Sequence, residues 1–353
     1  MSKKIIAGVT MAALLTLGLA ACSSATPATT ATPAETATDA AAAPVALSVA
    51  NVINGPLGDL GFFDDAARGM ALMEAAGSKI TNLQADDQNP AQWKTNLESV
   101  STGDWDVVIT GTWQMVDILT ETALKFPDQK YVIYDSVVEQ PNVASILYAQ
   151  NEGSFLAGVL AAQVTLNTDQ FPLATGSKKI GVVGGMDIPV INDFVVGFKK
   201  GAESVDPSIE VLVSYVGDFA DANRGFDQAK AMYDQGVDVI FQVAGGAGLG
   251  VLRASEDSKR YSIGVDANQN GLYPGYVIAS MLKNIGASLN SAVQDHAAGT
   301  LEFGTTAIYG LANNGVSLTF EDNEGTVPQA IQDNVQSYVQ KVIDGEIVVP
   351  SAF

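Results

Sequence analysis

The chain has 353 residues, with 39 acidic and 18 basic side chains and a formal charge of −21. That balance excludes a basic face for nucleic acid or anionic lipid, and its long-range field disfavours phosphorylated ligands. One cysteine and one histidine leave no intramolecular disulfide, no histidine-based triad and no Cys/His metal site.

The chain begins Met1-Ser-Lys-Lys-Ile-Ile, and an apolar run from Ile5 to Ala21 follows. A charged start and a short apolar stretch of small residues read as a secretory signal, too short for a membrane span. The run ends Leu19-Ala20-Ala21-Cys22, which matches a bacterial lipobox. The expectation is a signal peptide over 1–21 and a diacylated Cys22. Two acyl chains suffice for stable membrane attachment. Residues 22–44 are rich in Ala, Thr and Pro and hold no large apolar side chain. They read as a disordered tether. About 310 residues remain, enough for two domains.

After the tether, strand-like Val45–Ile53 leads into Asn54-Gly-Pro-Leu-Gly-Asp-Leu-Gly-Phe-Phe-Asp-Asp65 and then a helical pattern from Phe62 to Ala76. The loop lacks both the Gly-x-Gly-x-x-Gly fingerprint and a P-loop. It reads either as a cradle for a neutral ligand with an aromatic wall, or as an ordinary βα turn whose phenylalanines enter the core. Buried-strand runs follow at Val107-Val-Ile-Thr, Tyr131-Val-Ile-Tyr, Ile180-Gly-Val-Val, Val211-Leu-Val-Ser-Tyr and Val237-Asp-Val-Ile-Phe. Helical patterns lie between them at 93–102, 113–125, 151–166, 189–204, 223–235 and 248–257. Further helices are expected from about Leu282 and over 328–343. Alternation of this kind predicts an α/β fold with parallel sheets, whose ligands sit beyond the carboxyl ends of the strands.

The loops after those strands hold Asn54–Phe63, Gly111-Thr-Trp113, Asp135, Gly184–Pro189, Gly217-Asp-Phe219, Ala244–Gly248 and Asp266-Ala-Asn-Gln269. Glycine, carboxylates, amides and aromatic rings suit a polar ligand with flat apolar faces. Asp135 and Asp266 have a second reading as helix caps. His296, beside Asp295, reads as a helix C-terminal residue. Asp86-Asp87-Gln88-Asn89 is dense in oxygen ligands but lacks the spacing of a calcium loop.

Ordered blocks carry a resemblance. They are Leu57-Gly-Asp-Leu-Gly-Phe-Phe-Asp-Asp65, Glu152-Gly-Ser-Phe-Leu-Ala-Gly-Val-Leu-Ala-Ala162, Gly184-Gly-Met-Asp-Ile-Pro-Val-Ile-Asn-Asp-Phe-Val-Val-Gly-Phe198, Val243–Val251 and Gly264–Gln269, with Ser280-x-x-Lys283 after them. They resemble the basic membrane protein family of lipoproteins, whose members are similar to purine nucleoside receptor A. The resemblance implies a type I periplasmic binding protein. Two Rossmann-like lobes with parallel sheets would be joined by a three-crossing hinge. Lobe one would be 45–149 plus 282–305, and lobe two 150–281 plus 318–353.

The resemblance also implies a purine nucleoside in the cleft between the lobes and the permease subunits of an ABC importer as partner. The location would be the extracytoplasmic face of the cell membrane, through the lipid anchor. Neither a cofactor nor an enzymatic activity is implied. Carried over by position, Phe62 stacks on the base, Asn54 starts the loop and Asp135 ends the fourth strand. Gly245, Asp266 and Lys283 contact the ribose. Phe219 is the second stacking ring by spacing, with Phe194 as the alternative. Phe63 and Trp113 are further candidates. The chain departs from the family pattern at Leu60, Gly61, Phe63 and Trp113. A sugar or other small solute, or a surface sensor or adhesin without transport, are the alternative readings. A nucleoside hydrolase would need an acid/base pair or metal cage that the sequence does not offer.

Overall fold

The computed structural model describes residues 46–353. The signal peptide, Cys22 and the tether lie outside the described residues. Sheet one is formed by β1 (Ser48–Val52), β2 (Lys79–Leu83), β3 (Val107–Gly111), β4 (Tyr131–Tyr134), β5 (Val143–Tyr148) and β11 (Thr306–Tyr309). Sheet two is formed by β6 (Lys179–Gly184), β7 (Glu210–Tyr215), β8 (Val239–Val243), β9 (Tyr261–Asp266), β10 (Val277–Lys283) and β12 (Val316–Thr319). The orders are β11-β5-β4-β3-β1-β2 and β12-β10-β9-β8-β6-β7. Every pairing is parallel except β10 with β12.

The helices are α1 (Phe62–Ala75), α2 (Pro90–Ser99), α3 (Val116–Lys125), α4 (Gln150–Leu166), α5 (Pro189–Val205), α6 (Ala222–Asp234), α7 (Gly248–Ser258), α8 (Ile285–Ala298) and α9 (Gln329–Ile343). They cover both faces of each sheet, as parallel strands require. The strands accordingly read as continuous buried runs: β1 after its first residue, β3, β4 and β8 are buried throughout. One apolar core runs continuously from Val49 and Met70 of the first lobe to Phe155, Val182 and Phe241 of the second. Each sheet has a second core on its other face, around Trp93 and Leu119 in the first and Tyr233 and Val251 in the second.

The chain passes between the sheets after β5, after β10 and between β11 and β12. The helix expected from Leu282 starts later. Leu282 and Lys283 pair with β9 and β12 and finish β10, and the helix opens at Ile285. Ser280 and Lys283 are both buried, and such polar side chains interrupt the apolar run that marks a buried strand. The helix expected at 93–102 begins at Pro90, because Pro occupies its first turn and the Asn89 side chain accepts the Gln92 N–H. Trp113–Met115 form a 3₁₀ turn ahead of α3 rather than its first turn.

Two contacts place the returning helix α8 on the first lobe. Asp65 Oδ2 accepts the Gly286 N–H at 2.8 Å. Gly69 and Gly286 bring the backbones of α1 and α8 together: a Cβ on Gly69 would lie 2.5 Å from the Gly286 carbonyl oxygen.

Candidate functional site

The carboxyl ends of the parallel strands carry the chemistry. Four residues at these ends or in the loop after β1 adopt positive φ without being glycine: Leu60 (50°), Thr112 (75°), Asp135 (61°) and Asp266 (66°). Left-handed backbone at non-glycine residues is costly, so these four positions are held by their surroundings.

The loop after β1 is pinned by two carboxylates. Asp59 accepts the N–H groups of Gly61, Phe63 and Asp64 at 2.9–3.1 Å. Asp64 accepts those of Gly58 and Leu60, both at 2.9 Å. This double clamp holds the turn open for Phe62 to begin α1. Burial pushes the Asp59 carboxyl above its ordinary range, against the pull of its three backbone donors.

Lys283, at the end of β10, is the hub. It is 1% exposed, and its ammonium pairs with the Asp135 carboxylate at the end of β4. Its Nζ also lies over three rings: Tyr148 at 5.0 Å, Phe194 at 5.3 Å and Phe62 at 5.5 Å. Aromatic faces stabilise a desolvated cation. Burial raises the Asp135 pKa and Lys283 opposes that rise. Phe62 packs on Tyr134 at 5.5 Å and on the edge of Phe63 at 5.3 Å. Tyr134 has a buried hydroxyl without a partner among the described residues, and burial moves its pKa well up.

Asp266 ends β9 and faces this cluster from the second lobe. It is 7% exposed. Its carboxyl is pushed up to about 7, chiefly by burial, with Lys283 pulling it down and the negative charges of Asp59, Asp135 and Asp65 adding to the rise. A Cβ placed on Gly61 would lie 3.7 Å from Asp266 Oδ2, so the first-lobe loop reaches this carboxylate.

The other candidates fall into two places. Asn54 is buried and donates to Thr112 Oγ1 (3.0 Å) and Gln114 Oε1 (2.9 Å), which ties the β1 and β3 loops together. Trp113, between those partners, is 49% exposed. The Phe63 ring lies on Gly55. Across the cleft, the Phe219 ring covers Gly185, where any Cβ would overlap it, and also borders Gly245, whose φ is 54°. Thus Phe62, Phe194, Asp135 and Lys283 meet directly, while Phe219 and Gly245 form a separate wall. A Cβ on the neighbouring Gly246 would lie 3.9 Å from the Asp59 Cβ.

Sequence reasoning did not single out Asp59, Tyr134, Tyr148, Gln242 or Gln269 as site residues. A carboxylate directly after Gly58 and two residues before Gly61, in a strand-end loop, is the signal that marks Asp59. The others occupy strands and a turn where local pattern shows only buried or capping residues.

Two α/β lobes with ligand-type chemistry at facing strand ends define a type I periplasmic solute-binding protein. Residues 46–352 match the Bmp family, described as ABC transporter substrate-binding protein PnrA-like, and the chain belongs to that family. It is 33% identical over 293 residues to the "ABC transporter nucleoside-binding protein BmpA" of Lactococcus lactis, covering 78% of this chain and 79% of that one. It is 31% identical over 295 residues to the "CD4+ T-cell-stimulating antigen" of Listeria innocua, covering 79% of each. A solved structure of ABC transporter solute-binding proteins from Aeropyrum pernix superposes with a TM-score of 0.77 at 27% identity, covering 86% of this chain and 94% of that one. The chain is thus an ABC transporter substrate-binding protein, and its relatives are binding proteins rather than enzymes.

Proposed function

We propose that the chain is the extracytoplasmic solute-binding lipoprotein of an ABC importer and that its ligand is a purine nucleoside held between the lobes. Cys22 carries the lipid anchor and residues 22–44 the tether. The first lobe takes residues up to Ala149 and the segment containing α8. The second takes α4 to β10 and the C-terminal segment. Phe62 offers the first ring to the base and Phe219 the second. Asn54, Asp135, Gly245, Asp266 and Lys283 line the rest.

The observation that carries this reading is Asp266. Its carboxylate has no hydrogen-bond donor among the described residues, yet it is buried within the electrostatic reach of Lys283. Two acceptor oxygens of that kind suit the two hydroxyl hydrogens of a ribose diol. The name of the Lactococcus relative supports a nucleoside over other solutes.

Calorimetry on tether-deleted protein, first stripped of bound ligand, tests the reading with adenosine, guanosine, inosine, the free bases and ribose. Heat with nucleosides, weaker heat with bases and none with ribose is expected. Binding of ribose with no nucleoside heat would replace the purine reading by a sugar one.

A further inference from the structure

Gln269 follows β9 and is 1% exposed. Its side-chain amide joins three parts of the site. The Nε2 donates to the Leu60 carbonyl of the first lobe at 3.0 Å. The Oε1 accepts the Val265 N–H at 3.1 Å, one residue before Asp266. The same Oε1 accepts Gln242 Nε2 at 2.8 Å, and Gln242 Oε1 in turn accepts the Ala244 N–H at 3.1 Å, one residue before Gly245. The Gln269 backbone N–H is fixed as well, on Ser280 Oγ at 3.0 Å.

The polarity of this arrangement is set by the backbone. A peptide N–H only donates and a peptide carbonyl only accepts, so the amide has one satisfactory orientation. On the other side, the Leu60 carbonyl is aimed by the Asp59 and Asp64 clamp and by the left-handed backbone at Leu60. Each partner is held by bonds within its own lobe, which lowers the ordering entropy that opposes the bond. It exists only while the lobes are together.

We infer that Gln269 is a positioning residue that latches the first-lobe loop onto the second lobe and so lengthens the residence of whatever occupies the cleft. The inference rests on the cleft being the ligand site. It assigns Gln269 no contact with ligand. Removing the latch therefore speeds release and leaves the choice among ligands unchanged.

Two variants separate latch from scaffold. Gln269→Leu removes every side-chain bond. Gln269→Glu keeps an oxygen for Val265 and Gln242 and, when ionised, sets a carboxylate oxygen against the Leu60 carbonyl; it also places a charge beside Asp266, so the choice among ligands is read in Gln269→Leu alone. Spin labels on Ser99→Cys and Asp227→Cys, in the tether-deleted protein, report the separation of the lobes. Both variants should show longer and broader distances than the parent. With adenosine, inosine and guanosine as probes, both should dissociate about 2- to 10-fold faster, the range expected for one buried hydrogen bond, with association unchanged. The ratio of nucleoside to free-base affinity should stay constant in Gln269→Leu, which adds no charge beside Asp266. Unchanged distances and dissociation rates in Gln269→Leu would overturn the inference, as would a loss in that variant confined to ribose-bearing ligands. Should no probe bind the parent, the nucleoside reading fails, and the label distances alone decide the latch.

Discussion

At the residue scale, Phe62 and Asp266 divide the proposed work. Phe62 presents the aromatic surface beside Lys283, and stacking of a base on a ring is worth ~1–3 kcal/mol. Phe62→Ala should therefore raise the nucleoside Kd about 5- to 150-fold by calorimetry. Asp266 makes a different prediction, in pH. Its folded pKa of about 7 lies above the ordinary 3.8. The folded state then holds a proton that the unfolded state has released, so stability from this group is present below about pH 4 and is lost as pH rises to about 7. Thermal unfolding between pH 4 and 8 should show a smaller decline in Asp266→Asn than in the parent. Burial gives Asp59 and Asp135 raised pKa values too, so part of the decline remains in the variant. Nucleoside affinity of the parent should rise with pH through about 7, since only the ionised carboxylate accepts from both hydroxyls. A flat profile would remove Asp266 from the ribose.

At the element scale, the pair α4 and α5 forms the inner wall of the second lobe. Helix α4 is almost wholly buried and α5 is buried along one face, and they approach at backbone distance. Any Cβ on Gly158 would overlap the Phe198 carbonyl, and one on Gly201 would overlap the Phe155 carbonyl. The obstacles are main-chain atoms, which no rotamer change relieves. Gly201→Ala gains about 1 kcal/mol of helix propensity, but forces the helices apart along their length. The net expectation is a loss of about 1–3 kcal/mol, read as a lower urea midpoint at unchanged slope. The same helices position Phe194 under Lys283, so a shift here reaches the site.

At the scale of the whole molecule, the Lys283–Asp135 pair bridges the two sheets in a nearly dry setting. Loss of one partner leaves the other charge buried without compensation, which costs about 3–5 kcal/mol. Lys283→Met should lower the unfolding free energy by that order, read as a lower urea midpoint. The cost should shrink at low pH, where Asp135 takes up a proton. The anchor is a separate matter. Cys22→Ser should leave the protein unlipidated and in the soluble fraction, with nucleoside affinity equal to the parent's. A loss of affinity would make the N-terminal segment part of the binding unit.

The sequence by itself determined the alternation of strands and helices, the family, and which loops stand at the strand ends, because period and composition are local properties. Buried strands such as Val107–Gly111 and Tyr131–Tyr134 declared themselves as unbroken apolar runs. Edge strands did not: Lys79–Leu83 is half polar, and Thr306–Tyr309 is short and largely exposed. Strand β10 was hidden by its buried serine and lysine. Which loops meet depends on how the two sheets are assembled. Lys283 and Asp135 are 148 residues apart, and Gln269 and Leu60 are 209 apart. Sheet order and the returns of the chain between lobes bring them together. Nothing in the neighbourhood of either residue in the sequence encodes its partner.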